Sequence, residues 1–314
     1  MINISLGSVS IPLKEIFLSL FGNDDRYIIT NYRLPKMLTA ILVGSGLSVS
    51  GLLMQTLFRN PLAGPFVLGI SSGASLGVAI LILGASFFGF SAFAFSNFGV
   101  AIASSLGAFL VLLAVMIVAQ KVRNTMSILI IGLMFGSLTT AIISVLVYFS
   151  SAEELQQYLF WSFGSLGNLS WNELFLFFIV YLIGMLSVVF IIKPLNSLLL
   201  GENYAISLGV NIKKTRNITL LITALLTGVI TAFSGPIAFI GLAVPHIAKI
   251  IFDSSNHKIL LPATAIIGAI VMLFSDTIAQ LPNSEFTLPI NAITSLFGAP
   301  IVIWLLIRKT KIVL

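Results

Sequence analysis

Few residues in this sequence could carry out covalent chemistry. Cysteine is absent from the 314 residues, which excludes thiol nucleophiles, disulfides and cysteine-bound metal. No GxxxxGK[ST] run is present to cradle a nucleotide phosphate, so any ATP must be bound by a separate chain. HExxH does not occur either, and neither zinc-protease nor α/β-hydrolase chemistry has support. Two histidines remain. His246 follows Pro245 in an apolar stretch, where its imidazole could ligate haem iron or hold a structural hydrogen bond. His257 lies in the polar run DSSNHK and is expected to be solvated. Asp276 is the one carboxylate well inside an apolar segment. Such a residue is a functional candidate by default; pairing at a helix end is the alternative. Gln55 could line a pathway or bridge two helices. No nucleophile–base pair and no set of metal ligands converges, which disfavours an intramembrane enzyme.

The elements that must position these residues are apolar. Hydrophobic residues make up 58% of the chain and charged residues 8%, against about 25% charged in a soluble domain. Nine stretches read as spans: 37–57, 65–83, 98–119, 126–149, 171–192, 217–233, 236–252, 259–281 and 289–307. Crossing a bilayer takes about 20 apolar residues, so the expectation is an all-α polytopic transmembrane bundle forming one domain over 1–314. The polar turn Arg59-Asn60-Pro61 joins the first two stretches. Gly69, Gly73 and Gly77 recur at four-residue spacing in the second, placing three small residues on one helix face where another helix can approach closely. A polar loop over 194–216 separates the fifth and sixth stretches. Within it Ala205 and Leu208 are three apart and share a face if the segment is helical, and Gly209 can end such a helix in the left-handed conformation. A short helix there could dock in a partner's groove or lie on lipid headgroups.

The charges orient this bundle. With the C-terminus in the cytoplasm, the inside carries Arg59, Lys121, Arg123, Lys193, Lys213, Lys214, Arg216, Lys249, Lys258, Arg308, Lys309 and Lys311. The outside carries only Lys14, Arg26, Arg33 and Lys36. This is a positive-inside bias, and it accounts for the formal charge of +6 better than a nucleic-acid surface does. Acidic residues fall mostly outside: Glu15, Asp24, Asp25, Glu153, Glu154, Glu173, Asp276 and Glu285. Trp161, Trp171 and Tyr148 fall near the outer interface, as aromatic belts do. Arg33 and Lys36 flank Pro35 at a helix start, where the dipole disfavours positive charge. Something must compensate, and anionic headgroups are one candidate.

The stretch RLPKMLTAILVGSGLSVSGLLMQTLFRNPLAGPFVLGISSGASLG, residues 33–77, closely resembles the permeases of bacterial ABC importers for iron-siderophores, haem and cobalamin, the FecCD-type family. Residues 125–167, 200–212 (LGENYAISLGVNI), 235–249 (GPIAFIGLAVPHIAK) and 289–305 (PINAITSLFGAPIVIWL) extend the resemblance over nearly the whole chain. It implies a homodimer enclosing a pathway, each copy binding one cytoplasmic ATPase. An extracytoplasmic binding protein would deliver an iron chelate, siderophore or haem, with cobalamin as the alternative. The 200–212 loop becomes the ATPase coupling element, with Gly201, Glu202, Ala205, Leu208 and Gly209. Arg33 and Lys36 become the binding-protein docking pair. Gln55, Asn60 and Pro61, with Asn124, Thr125 and Met126, become candidates for the pathway and inner gate, a simple turn being the alternative for Asn60-Pro61. No cofactor and no covalent reaction is implied. An ion-coupled secondary transporter is the reading from another class; one intramembrane carboxylate argues against it.

Three departures from the family pattern stand out. Arginine is frequent where Gln280 stands, and glycine where Asn291 stands. Family members also have ten helices, one of them preceding the segment that matches SVSIPLKEIFLSLFG. The resemblance therefore implies a reading frame continuing upstream of Met1 through about 20 further apolar residues; a true nine-helix variant is the alternative.

Overall fold

The structure, a computed structural model, describes residues 2–6, 11–21, 27–85, 96–122, 125–167, 169–280 and 286–307. All regular elements among these are helical: α1 (Ile2–Ser5), α2 (Leu13–Phe21), α3 (Leu34–Phe58), α4 (Ile70–Leu83), α5 (Asn97–Ala119), α6 (Thr125–Phe149), α7 (Ala152–Ser162), α8 (Trp171–Leu199), α9 (Glu202–Ser207), α10 (Ile212–Ser234), α11 (Ile240–Phe252), α12 (His257–Ala279) and α13 (Ile290–Ile307). A π-helical turn, Ile29–Arg33, runs directly into α3, and a 3-10 turn, Pro65–Leu68, precedes α4. Asn124 lies outside the described residues, as do Asp24, Asp25, Arg26, Arg123, Glu285, Arg308, Lys309 and Lys311.

The nine apolar stretches resolve unevenly. Among the described residues six helices are long and apolar enough to cross a membrane: Ile29–Phe58, Phe98–Ala119, Met126–Phe149, Trp171–Leu199, Ile212–Ser234 and His257–Ala279. Ile70–Leu83, Ile240–Phe252 and Ile290–Trp304 are shorter. Two of the short ones are cut by their own backbone. Gly69 turns left-handed (φ 73°) before α4 begins, and Gly235 (φ 73°) and Phe239 (φ 66°) bracket an extended segment before α11. Gly69 is thus not the first residue of a three-glycine helix face, as the spacing predicts; it is the joint between the 3-10 turn and α4.

α3 is the centre of the molecule. Every residue from Leu42 to Phe58 is buried, and the helix packs against α8, α10, α11 and α12. A helix covered on all sides needs no polar stripe, but it needs room. Glycine supplies it: Gly44 meets Gly268 of α12, and Gly51 meets Gly241 of α11 so closely that a methyl group would overlap the Gly241 carbonyl oxygen. Gly73 and Gly77 do the same for α4, facing Gly107 and Ala103 of α5. The outer helices α5, α6 and α8 present large apolar side chains, among them Phe109, Met134 and Phe190. Their backbones are satisfied within each helix, as a lipid-facing surface requires.

α7 and α8 start where the chain makes two reciprocal capping boxes. Ser151 accepts from the Glu154 amide while Glu154 accepts from the Ser151 amide, and Ser170 and Glu173 repeat the arrangement.

Candidate functional site

The loop expected to face a partner folds as α9. Gly201 (φ 118°) and Gly209 (φ 81°), both outside the range easily reached by other residues, bound it. The Gly209 amide donates to Ile206 and the Val210 amide to Ala205, both at about 3 Å. This is the Schellman ending that Gly209 signals in the sequence. The shared apolar face does not follow. Ala205 is fully buried and packs into the main core, whereas Leu208 is 57% exposed. Leu208 is the cap of α9 and its amide still donates to Tyr204, so the spacing is helical; the core simply reaches Ala205 and stops short of Leu208. The apolar groups that α9 and its flanks present outward are Leu200, Tyr204, Ile206 and Leu208, with Glu202 exposed among them. A hollow of about 690 Å³ is lined by Arg59, Leu200, Gly201, Glu202, Asn203, Tyr204 and Ser207.

The turn after α3 is tied down from three directions. Gln55 Nε2 donates to the Leu242 carbonyl of α11 at 3.1 Å, so Gln55 bridges helices. His246 Nε2 meets the Pro61 carbonyl at 2.8 Å, giving this histidine the structural role. Asn60 Oδ1 accepts from the Leu62 amide at 2.9 Å, closing an Asx turn. Of the residues expected across the inner mouth, Thr125 opens α6 and Met126 is 44% exposed.

His257 overturns the expectation of solvation, being 1% exposed. Its Nδ1 lies 2.7 Å from Asn196 Oδ1 and its Nε2 2.8 Å from Thr56 Oγ1. Asn196 Oδ1 also accepts from the His257 amide, and Asn196 Nδ2 donates to Asn256 Oδ1. One neutral network therefore joins α3, α8 and α12 at this end. The polar run that reads as a loop is in fact the N-cap, Asn256, and first residue of α12.

The opposite end carries the cations expected to meet a binding protein, and both have internal partners. Lys36 Nζ pairs with Asp276 Oδ1 at 3.1 Å, with Asp276 almost wholly buried. Asp276 Oδ2 accepts from Gln280 Nε2 at 2.7 Å and from Asn3 Nδ2 at 2.9 Å. Arg33 donates to the Ile4 and Ser5 carbonyls of α1. Asp276 is therefore a pairing residue at a helix end, and Gln280 supplies it a neutral donor. Asn291, the other departure, uses its Oδ1 to accept from the Ala238 amide at 3.1 Å, satisfying the extended segment before α11.

Gly69-Ile70-Ser71-Ser72-Gly73 does have GxSxG spacing, contrary to the expectation that hydrolase patterns are missing. A nucleophile elbow needs a strand before its turn and an exposed hydroxyl. Here a 3-10 turn precedes it and Ser71 is buried without a hydrogen-bond partner. The same packing geometry that fixes Gly69 and Gly73 explains the spacing. Among the described residues no group of three His, Asp or Glu could hold a metal ion.

Sequence reasoning missed the cross-links made by Arg59, Asn196 and Asn291. Arg59 had a signal, since a basic residue directly after a long apolar run caps that helix. The partners of the other two lie about 60 and 53 residues away in the chain, beyond any local pattern.

Three comparisons agree with this architecture. The model of the FecCD transport family matches residues 1–308. The vitamin B12 import system permease protein BtuC of Salmonella typhi is 34% identical over 284 residues, covering 89% of this chain and 83% of that protein. A metal-chelate-type ABC transporter solved in an inward-facing conformation superposes with a TM-score of 0.84 at 33% identity, covering 98% of this chain and 95% of that one. PsaBC from Streptococcus pneumoniae, solved with a Fab, shares the fold at a TM-score of 0.59 and 15% identity, covering 93% and 95%. The chain belongs to the FecCD transport family, as a multi-pass inner-membrane permease of the ABC-importer type.

Proposed function

We propose that two copies of this chain enclose a pathway for a metal chelate, driven by a separate cytoplasmic ATPase that docks on α9. The observation that carries the reading is α9 itself. Its one inward residue, Ala205, anchors it to the core, while Leu200, Tyr204, Ile206 and Leu208 stand exposed beside Glu202. Four exposed apolar groups on a six-residue helix and its flanks, with Lys213 and Lys214 close by in the chain, suit a protein groove rather than bulk water. The loop 194–216 is then the coupling element of a single permease domain, and its side of the bundle faces the cytoplasm together with the C-terminus. The permease contributes no covalent step. ATP binding and hydrolysis on the partner would favour alternate arrangements of these helices, by stabilising one more than the other.

The second copy is supported by α6, which is apolar yet the least covered of the long helices. Its outward side carries Ser137, Thr140 and Ser144, whose hydroxyls donate back to Leu133, Gly136 and Thr140, so it can face a partner or a pathway without unpaired donors. An extracytoplasmic binding protein would dock on the opposite rim. There Arg33 and Lys36 shape the surface through their internal bonds more than they attract the partner. The cargo we favour is an iron chelate, siderophore or haem. Cobalamin is the second reading, because the relative at 34% identity is a vitamin B12 permease.

The test is co-purification. Leu208→Asp should insert and dimerise but lose the ATPase, and ATP-driven uptake should fall with it. Full ATPase retention by that variant would overturn the docking assignment. Uptake of a ferric siderophore, haem and cobalamin into proteoliposomes holding the complete complex separates the cargoes.

A further inference from the structure

We infer that Arg59 is the positioning residue that transmits movement of α9 to the central helix α3. This rests on the reading of α9 as the ATPase contact. Arg59 caps α3 with its amide bonded to Gln55 and Thr56, and it does so in the left-handed conformation (φ 47°, ψ 38°). That conformation costs a non-glycine residue roughly 1–2 kcal/mol, and glycine or asparagine is the usual choice at such a cap. An arginine there points to a use for its side chain. Its guanidinium donates to the carbonyl of Leu198, in the last turn of α8, where a cation is also favoured by the helix dipole. Leu198 also accepts from the Gly201 amide, and Gly201 begins α9. The path from partner surface to central helix is therefore short: α9, Gly201, Leu198, Arg59, α3.

What lies beyond Arg59 makes the link consequential. The next two residues are Asn60 and Pro61, and the Pro61 carbonyl is held by His246 of α11. Gln55, one turn back, is bonded to Leu242 of the same helix. A shift of α9 that pulls Leu198 must move the end of α3 or break the Arg59 bond. If it moves α3, α11 follows. No other side chain among the described hydrogen bonds joins the 198–201 segment to α3.

The discriminating variant is Arg59→Gly, in the complete complex with ATPase and binding protein. Glycine relieves the left-handed backbone and removes the guanidinium. A purely structural arginine predicts a permease at least as heat-stable as the parent, with unchanged cargo moved per ATP. A transmitting arginine predicts a folded complex that keeps its ATPase but moves about tenfold less cargo per ATP hydrolysed, with Arg59→Lys in between. Wild-type coupling in Arg59→Gly overturns the inference. If that variant misfolds, Arg59→Lys decides: unchanged cargo per ATP overturns, and a partial loss supports. The Leu208→Asp variant keeps the two ideas apart, because it tests partner binding and Arg59→Gly tests what happens after the partner has bound.

Discussion

The two ends of the bundle are fastened by different chemistry. At the end holding Lys36, a buried carboxylate is shared by one ammonium and two amides, from α3, α12 and α1. At the end holding α9, the fastening is mostly neutral: Thr56, His257 and Asn196 across three helices and His246 on a backbone carbonyl, with the exposed Arg59 adding a cation on the Leu198 carbonyl. A charged cluster is intolerant, since losing one partner strands a buried charge. A neutral network fails by smaller steps, because each bond contributes only about 1 kcal/mol. The end proposed to move with ATP is thus the one whose bonds can be exchanged at low cost, and the rim around Asp276 is built to stay closed on itself.

That contrast can be broken by measurement. Lys36→Met should cost the most, about 3 kcal/mol, by leaving Asp276 buried with neutral donors only. Thermal unfolding of the purified permease in detergent would register it, and adding Asp276→Leu should recover most of the loss. Asn196→Leu should cost about 2 kcal/mol, because two donors of His257 lose their acceptor together. A larger effect for Asn196 than for Lys36 would reverse the ranking of the ends. Asn291→Gly, which leaves the Ala238 amide unpaired, should cost about 1 kcal/mol. Leu208→Asp, on an exposed side chain, should change stability by no more than about 0.5 kcal/mol. A large thermal shift there would mean that α9 is part of the core rather than a surface laid on it.

Legibility followed the range of each interaction. The six long apolar stretches, the glycine that ends α9 and the close-packing Gly73 and Gly77 of α4 are local patterns, and they appear where the residues say. The short helices were misjudged because apolarity does not reveal a backbone break: Phe239 turns left-handed with nothing in its side chain to announce it. Ala205 and Leu208 differ in burial because spacing gives relative position on a helix but not how far the core reaches around it. His257 was misassigned because a polar run reads the same whether water or Asn196 satisfies it. The docking pair Arg33 and Lys36 was legible as an uncompensated charge; the compensation lay some 240 residues along the chain for Lys36.

The burial of α3 has a consequence for the order of synthesis. The helices that cover most of it, α8, α10, α11 and α12, follow it in the chain. During insertion, Leu42–Phe58 must therefore wait in the bilayer beside lipid or translocon, with its interior serines and glycines uncovered. Thr39, Ser45, Ser48 and Thr56 each donate to a carbonyl one turn back, at Pro35, Ile41, Gly44 and Leu52. Those bonds need no neighbouring helix. The segment destined for the centre of the protein thus carries part of its own polar shielding before the later helices enclose it, with Gln55 left to find its partner on α11.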